Sequence, residues 1–400
     1  MGDAGGVPAA AASRLVWAEI DLAAVRHNAA VLRGAVAPAA LCAVVKADAY
    51  GHGAAPVARA ALDGGATWLA VATVEEGTAL RDAGVGAPVL VLSEPPPAAM
   101  AEVVARGLTP ALYTADGVRA AGQASARAGV VTDVHVKLDT GMHRVGAERR
   151  ALAGLVDAVA GHPALRFAAL WTHFPVADGA EPGDRAFTEA QVRALGAARD
   201  ELAAAGHAPP ALHAANSAGA LAYPEARLDM VRCGIALYGV SPFPGPAPVW
   251  DDVMASTGAA GLRPVLSLRA RVTLVRELDA GERPSYGRLS PLPAPTTVAT
   301  VPLGYADGVP RRTFTRGGTV LVGGRRRPLA GMVTMDQIMV DCGPNGEVSV
   351  GDDVVLIGHQ GDASLTASDW AGVLDTIAHE VFCGIGPRVP RVVVDTEQAS

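Results

Sequence analysis

The 400-residue chain is half hydrophobic and 18% charged, the composition of a globular protein with apolar material for about two domains. Its formal net charge of −7, with no long basic stripe, argues against nucleic acid or an anionic membrane as a partner. No apolar run approaches the ~20 residues that a membrane span needs.

In chain order, residues 1–12 are small and lack the charged and apolar regions of a secretory signal. They read as a disordered leader of a cytoplasmic protein. A β-rich run at 16–20 follows and is expected to pair with the second domain. From 41 to 240 the texture alternates. Candidate strands lie at 41–47, 68–73, 88–93, 109–114, 132–139, 166–173, 211–216 and 228–233. Between them lie stretches of helical length and spacing, such as 54–62, 75–83, 98–106, 116–128 and 188–205. Strand–helix alternation implies a parallel sheet, and this strand count implies a TIM-like (β/α)8 barrel.

Residues 241–260 carry Pro242, Pro244, Pro246, Pro248 and Gly258, and read as a linker. Beyond it, runs at 266–274, 297–302, 318–322, 335–341 and 353–357 are joined by Gly- and Pro-rich turns. This predicts a C-terminal mainly-β domain with one helix at 368–379. The expected domains are therefore 14–255 and 256–396. Arg325, Arg326 and Arg327, beside Gly323 and Gly324, read as a solvated turn. The cysteines Cys42, Cys233, Cys342 and Cys383 lack metal-ligand spacing, so no metal is expected and they read as buried free thiols.

Only two of the 33 basic residues are lysines, Lys46 and Lys137. Against so strong an arginine bias, a surviving lysine points to a need for an amine. An amine can lose its proton, attack a carbonyl or react with carbon dioxide, and a guanidinium cannot.

In such barrels the active site lies at the C-terminal ends of the strands. The polar candidates fall there. The first strand runs into Lys46 and Tyr50, the fifth carries Lys137 and Asp139 and leads to Arg144, and the sixth ends at His173. The seventh ends in Asn216 and Ser217, and the eighth in Arg232, Gly234 and Ile235. The last two loops are the usual phosphate site of these barrels, and glycine lets the backbone approach an anion closely. On the fifth strand, His135, Lys137 and Asp139 share the face opposite Val134, Val136 and Leu138, which points Lys137 into the barrel. Two readings of this buried amine stand: it pairs with a carboxylate such as Asp139, or it is carbamylated and faces Arg144.

The string Val44-Val45-Lys46-Ala47-Asp48-Ala49-Tyr50-Gly51-His52-Gly53 resembles the cofactor-lysine signature of bacterial alanine racemases. The resemblance extends through Lys137-Leu138-Asp139-Thr140-Gly141-Met142-His143-Arg144, Asn216-Ser217, Arg232-Cys233-Gly234-Ile235, Ser285-Tyr286-Gly287, Gly304-Tyr305-Ala306-Asp307-Gly308, Met335-Asp336-Gln337 and Arg388-Val389-Pro390-Arg391. It implies a pyridoxal 5'-phosphate (PLP) enzyme that interconverts L- and D-alanine by two bases and supplies D-alanine for peptidoglycan. It also implies a homodimer with shared active sites.

The resemblance further implies the roles. Lys46 would hold PLP through its amine and act as the base for D-alanine, and Tyr286 from a second copy would be the base for L-alanine. Arg144 and the Met335 backbone would bind the substrate carboxylate. Tyr50, Ser217, Gly234, Ile235 and Tyr305 would hold the cofactor phosphate, beside Asn216. Arg232 would donate to the pyridine nitrogen, with His173 orienting it. Lys137 would be carbamylated in support of Arg144, and Asp336 would stand behind Met335.

Two departures from the pattern lie near the expected pocket. Ser-Tyr-Gly continues as Arg288-Leu289-Ser290, where Thr and Tyr are usual, and Pro387 stands where many members carry a tyrosine. They keep open a serine or broad-specificity racemase of the same fold. A non-catalytic PLP carrier is the other alternative.

Overall fold

Short runs of Val, Leu and Ala, each too brief for a helix core, supply the strands of a closed barrel. The computed structural model describes residues 8–9, 13–245 and 248–395. After β1 (Val16–Asp21) come the barrel strands β2 (Ala40–Val44), β3 (Trp68–Val71), β4 (Val89–Val91), β5 (Thr109–Leu112), β6 (Thr132–Lys137), β7 (Leu165–Trp171), β8 (Leu212–His213) and β9 (Met230–Cys233). They follow sequence order around the ring, and β9 closes on β2 by pairing Cys42 with Arg232. Every pair is parallel. The helices between them present apolar faces to the strands, as in Arg149–Ala160 with Leu152, Leu155, Val156 and Val159 buried.

The remaining strands are β10 (Leu266–Arg271), β11 (Leu274–Leu278), β12 (Thr296–Val301), β13 (Thr319–Val322), β14 (Arg325–Pro328), β15 (Ile338–Asp341), β16 (Asp353–Gln360), β17 (Ala363–Leu365) and β18 (Arg391–Val394). They form a sheet ordered β14-β13-β16-β10-β1-β18, with β17 on β16, and a three-stranded sheet β11-β12-β15. The run at 16–20 does join this part of the chain: β1 pairs antiparallel with β10 and parallel with β18.

The chain divides into two compact units, one of residues 24–49 and 53–263, the other of 1–23, 50–52 and 264–400. Residues 256–263 thus pack with the barrel, where the Asn28 side chain accepts from the Arg263 amide at 2.8 Å and donates to its carbonyl at 2.8 Å.

Several expectations need correction. The segment read as a linker holds a helix, Pro248–Ser256, with Trp250 stacked on Phe243 at 4.2 Å. Proline is tolerated at a helix start, where its missing N–H has no intrahelical partner in any case. Pro246 lies outside the described residues, as does most of the leader. The arginine turn is instead strand β14, joined to β13 by the two-residue Gly323-Gly324 turn, with positive φ at both glycines. The single late helix is two, Ala367–Leu374 and Ala378–Cys383, broken at Asp375 with φ 56°. Cys42, Cys233 and Cys342 are buried, but Cys383 is exposed.

Candidate active site

The first strand stops at Val44, earlier than expected, because the chain then turns left-handed. Ala47, Asp48, Ala49 and Tyr50 all have φ between 51° and 54°. Each non-glycine residue there costs roughly 1–2 kcal/mol, so the turn must be held from outside. Three contacts do so. Tyr238, on the turn after β9, donates its hydroxyl to the Val44 carbonyl at 2.9 Å. The Ala47 amide donates to Glu76 at 2.6 Å, and the Ala54 amide to Asp48 at 2.7 Å. Lys46 heads this turn and is half-buried.

Arg232 is 3% exposed and lies at the barrel centre. Its Nη2 donates to the carbonyls of Thr172 and Ala214, both at 2.9 Å, and to His173 Nδ1 at 3.1 Å. Its Nη1 donates to His213 Nδ1 at 2.7 Å. That bond leaves the proton of His213 on Nε2, which faces His135 Nδ1 at 3.0 Å. Arg232 therefore rests on neutral acceptors alone. Burial pushes its pKa down to about 10, which still leaves it charged at neutral pH. Burial, and then Arg232, also hold His173 and His213 well below the ordinary imidazole value. Burial lowers His135 to about 4.

Lys137 is 4% exposed, with Nζ 4.5 Å from the centre of the Trp171 ring. The Arg232 guanidinium lies over the same ring at 4.6 Å. Asp139 is committed elsewhere: it accepts from the Gly141 and His143 amides and meets His143 Nδ1 at 3.1 Å. Among the described residues, no carboxylate pairs with Lys137. Burial, then Arg232 and Arg144, lower its pKa to about 8. Arg144 is exposed and makes no ion pair among the described residues.

The loops after β8 and β9 are tied by Ser217, which accepts from the Gly234 amide at 2.9 Å and from the Ala236 amide at 3.4 Å. Asn216 caps the helix Ser217–Ala222 by accepting from Gly219 N at 2.9 Å. Ile235 opens a 3-10 turn, where amides precede any intrahelical acceptor.

The second unit holds the other expected residues. Tyr286 is 68% exposed and sits on a strained turn, with φ of 70° at Ser285 and 44° at Arg288. The Ser285 hydroxyl donates to the Met332 carbonyl at 2.6 Å. Gly331 lies beneath this turn, where a Cβ would come 2.6 Å from the Pro284 carbonyl oxygen. Met335 is 51% exposed. Its carbonyl accepts from Ala306 N at 3.1 Å, and its own N–H has no acceptor among the described residues. The Tyr305 amide donates to the Thr334 carbonyl at 3.0 Å, and the close approach requires Gly304, whose Cβ would lie 2.2 Å from Thr334 O. Tyr50 is buried, with its ring 5.5 Å from that of His379. Asp336 accepts from Arg388 at 2.8 Å, and Arg388 is itself held by the fully buried Asp307.

Residues 20–242 match the family description "Alanine racemase, N-terminal domain", and residues 265–393 match "Alanine racemase, C-terminal domain". The chain is 45% identical to the alanine racemase of Symbiobacterium thermophilum, an alignment spanning 94% of this chain and 97% of that protein. The chain belongs to the alanine racemase family. Among solved structures, alanine racemase from Streptomyces coelicolor A3(2) superposes with a TM-score of 0.86 at 40% identity, covering 96% of this chain and 99% of that one. Histidine racemase from Leuconostoc mesenteroides superposes with a TM-score of 0.81 at 30% identity, covering 96% and 98%.

Membership in the alanine racemase family makes the chain an isomerase built on a barrel and a β-domain. The geometry also supplies what the sequence reading missed. His213, His135, Tyr238 and Glu76 all hold residues at the barrel rim, yet none was singled out as a site residue. A signal existed for Glu76 alone: Thr73 and Glu76 have the spacing of a capping box, which the structure forms. The residues fit PLP. Lys46, Lys137, Arg144 and Arg232 are near enough for their charges to affect one another, and three of them act on Lys137. The Nε–H of Arg232 has no acceptor among the described residues, a donor suited to a ring nitrogen.

Proposed function

We propose that the chain is a PLP-dependent alanine racemase of the bacterial cytoplasm, working as a homodimer with shared active sites and supplying D-alanine for peptidoglycan. The observation that carries this is the buried Arg232, held by neutral acceptors only, beside an amine at the end of the first barrel strand. Bound PLP supplies an electron sink that acidifies the substrate Cα–H.

The protein's own residues do the rest. The Lys46 amine removes or returns the Cα proton on one face of the substrate, and the Tyr286 hydroxyl of a second copy does so on the other. The large exposure of Tyr286, Tyr305 and Met335 supports such a partner. Arg144 and the Met335 amide bind the substrate carboxylate. Tyr50, Ser217, Gly234, Ile235 and Tyr305 hold the phosphate, and Asn216 fixes Ser217 through its cap. Asp336 supports the Met335 turn through Arg388. Arg232, braced by His173 and His213, donates a hydrogen bond to the ring nitrogen and does not donate a proton.

Lys137 is carbamylated in this reading. Its neutral amine nitrogen attacks carbon dioxide, an N–C bond forms and a proton leaves, giving an anion beside Arg144. The lowered pKa of Lys137 and its lack of a carboxylate partner among the described residues favour this over the pairing with Asp139.

Reduction of the PLP-loaded protein with borohydride, followed by peptide mass analysis, should place the cofactor on Lys46. Label on Lys137, or a loaded protein that does not racemise alanine, would contradict the assignment. Pro387 is exposed and replaces a tyrosine, which favours serine or a broader substrate set as the second reading. Rates with L-alanine and L-serine side by side separate the two.

A further inference from the structure

Helix Val74–Asp82 begins with a complete capping box: the Thr73 side chain accepts from Glu76 N, and the Glu76 carboxylate accepts from Thr73 N. A capping glutamate needs one oxygen for that task. In Glu76, Oε2 performs it, taking the Thr73 amide at 3.3 Å and the Ala72 amide at 2.7 Å. Oε1 is turned to a different loop and takes the Ala47 amide at 2.6 Å. That amide immediately follows Lys46 and opens the left-handed turn of residues 47–50, none of which is glycine. A charged acceptor on a backbone N–H is among the stronger hydrogen bonds available to a protein. We infer that Glu76 is a positioning residue for Lys46, fixing the backbone from which the cofactor-holding amine projects. This rests on the reading of Lys46 given above.

The alternative is that Glu76 only caps its helix. Thr73→Ala isolates that role, since it removes the capping hydroxyl and leaves the Glu76 carboxylate in place. The experiment compares full-length wild type, Thr73→Ala, Glu76→Gln and Glu76→Ala. It reads hydrogen exchange of the 45–50 segment without cofactor, PLP release followed by visible absorbance, and kcat against KM. Glu76→Ala should speed exchange at Ala47 and PLP release by about tenfold or more, the scale of a lost bond to a charged group. It should lower kcat more than it raises KM. Glu76→Gln keeps an acceptor oxygen and should recover part of each loss. Thr73→Ala should lower the melting temperature while leaving exchange at Ala47 and PLP release as in wild type. If Glu76→Ala and Thr73→Ala behave alike in all three readouts, the inference is overturned and the reading of Lys46 stands. If wild type takes up no PLP, the reading of Lys46 falls and takes the inference with it, even where the exchange data show the Glu76 contact.

Discussion

The two units bury charge in opposite ways. In the β-domain the buried charge is an anion, and it is paired. Asp307 is fully buried and receives Arg14 at 2.8 and 3.2 Å, Arg388 at 3.1 Å from both Nε and Nη2, and the Gly304 amide at 3.0 Å. Burial alone would raise its pKa, but these bonds overcome that effect and hold the carboxyl below its ordinary range. In the barrel the buried charges are cations, and no carboxylate among the described residues pairs with them. Arg232 rests on carbonyls and imidazoles, and Lys137 on an aromatic ring. A paired buried charge is complete in itself. An unpaired one is costly and is the more informative sign of a missing guest.

The largest expected effect tests that distinction at the barrel. Lys46→Ala should reduce racemisation by at least ~10³-fold, the range for loss of a positioned acid–base group, while the fold is retained. Circular dichroism and polarimetry on one sample check both. Retained racemisation would show that the amine is not the working group.

Charge removal in the two units should then give opposite phenotypes. Asp307→Asn leaves Arg14 and Arg388 without their counter-charge and should cost about 3–5 kcal/mol of stability by denaturant unfolding, the range for breaking a buried pair. Arg232→Glu should instead change the reaction. A carboxylic acid at the ring nitrogen can share its proton, so more alanine should leak to pyruvate than in wild type. Unchanged leakage would refute Arg232 as a brake on that side reaction.

A smaller effect sharpens the account of the neutral acceptors. The imidazole of His135 titrates near 6.5 when unfolded and about 4 when folded, so only the unfolded chain takes its proton between those values. Stability from this group is full above pH 6.5, is lost as pH falls to 4 and changes no further below that. The loss is on the order of 3 kcal/mol. His135→Asn should make the unfolding free energy less steep in that window by one proton. The smallest effect belongs to the other unit. Thr366 caps the helix Ala367–Leu374, and Thr366→Ala should cost about 1 kcal/mol without altering kcat.

The barrel was legible in the sequence because each strand is a compact apolar run set between helical stretches. Its rim was legible because Lys46, Lys137, His173, Ser217 and Arg232 fall at strand ends. The turn at 47–50 was not, since alanine, aspartate and tyrosine carry no sign that φ will be positive. Strand β11 escaped because Leu274–Leu278 has no fully buried residue and therefore no apolar face to read. His213 sits on a two-residue strand, too short for periodicity to mark it as inward-facing. The helix at Pro248–Ser256 was hidden by the prolines around its start. Surface exposure made Tyr286 informative only once the structure placed it on a strained turn.

The most direct test incubates PLP-loaded protein with L-alanine in D2O and follows optical rotation together with deuterium at Cα. The account predicts loss of rotation with solvent deuterium incorporated at Cα, absent in Lys46→Ala and strongly reduced in Tyr286→Phe. Cofactor-loaded protein that leaves both rotation and the Cα proton unchanged would contradict it.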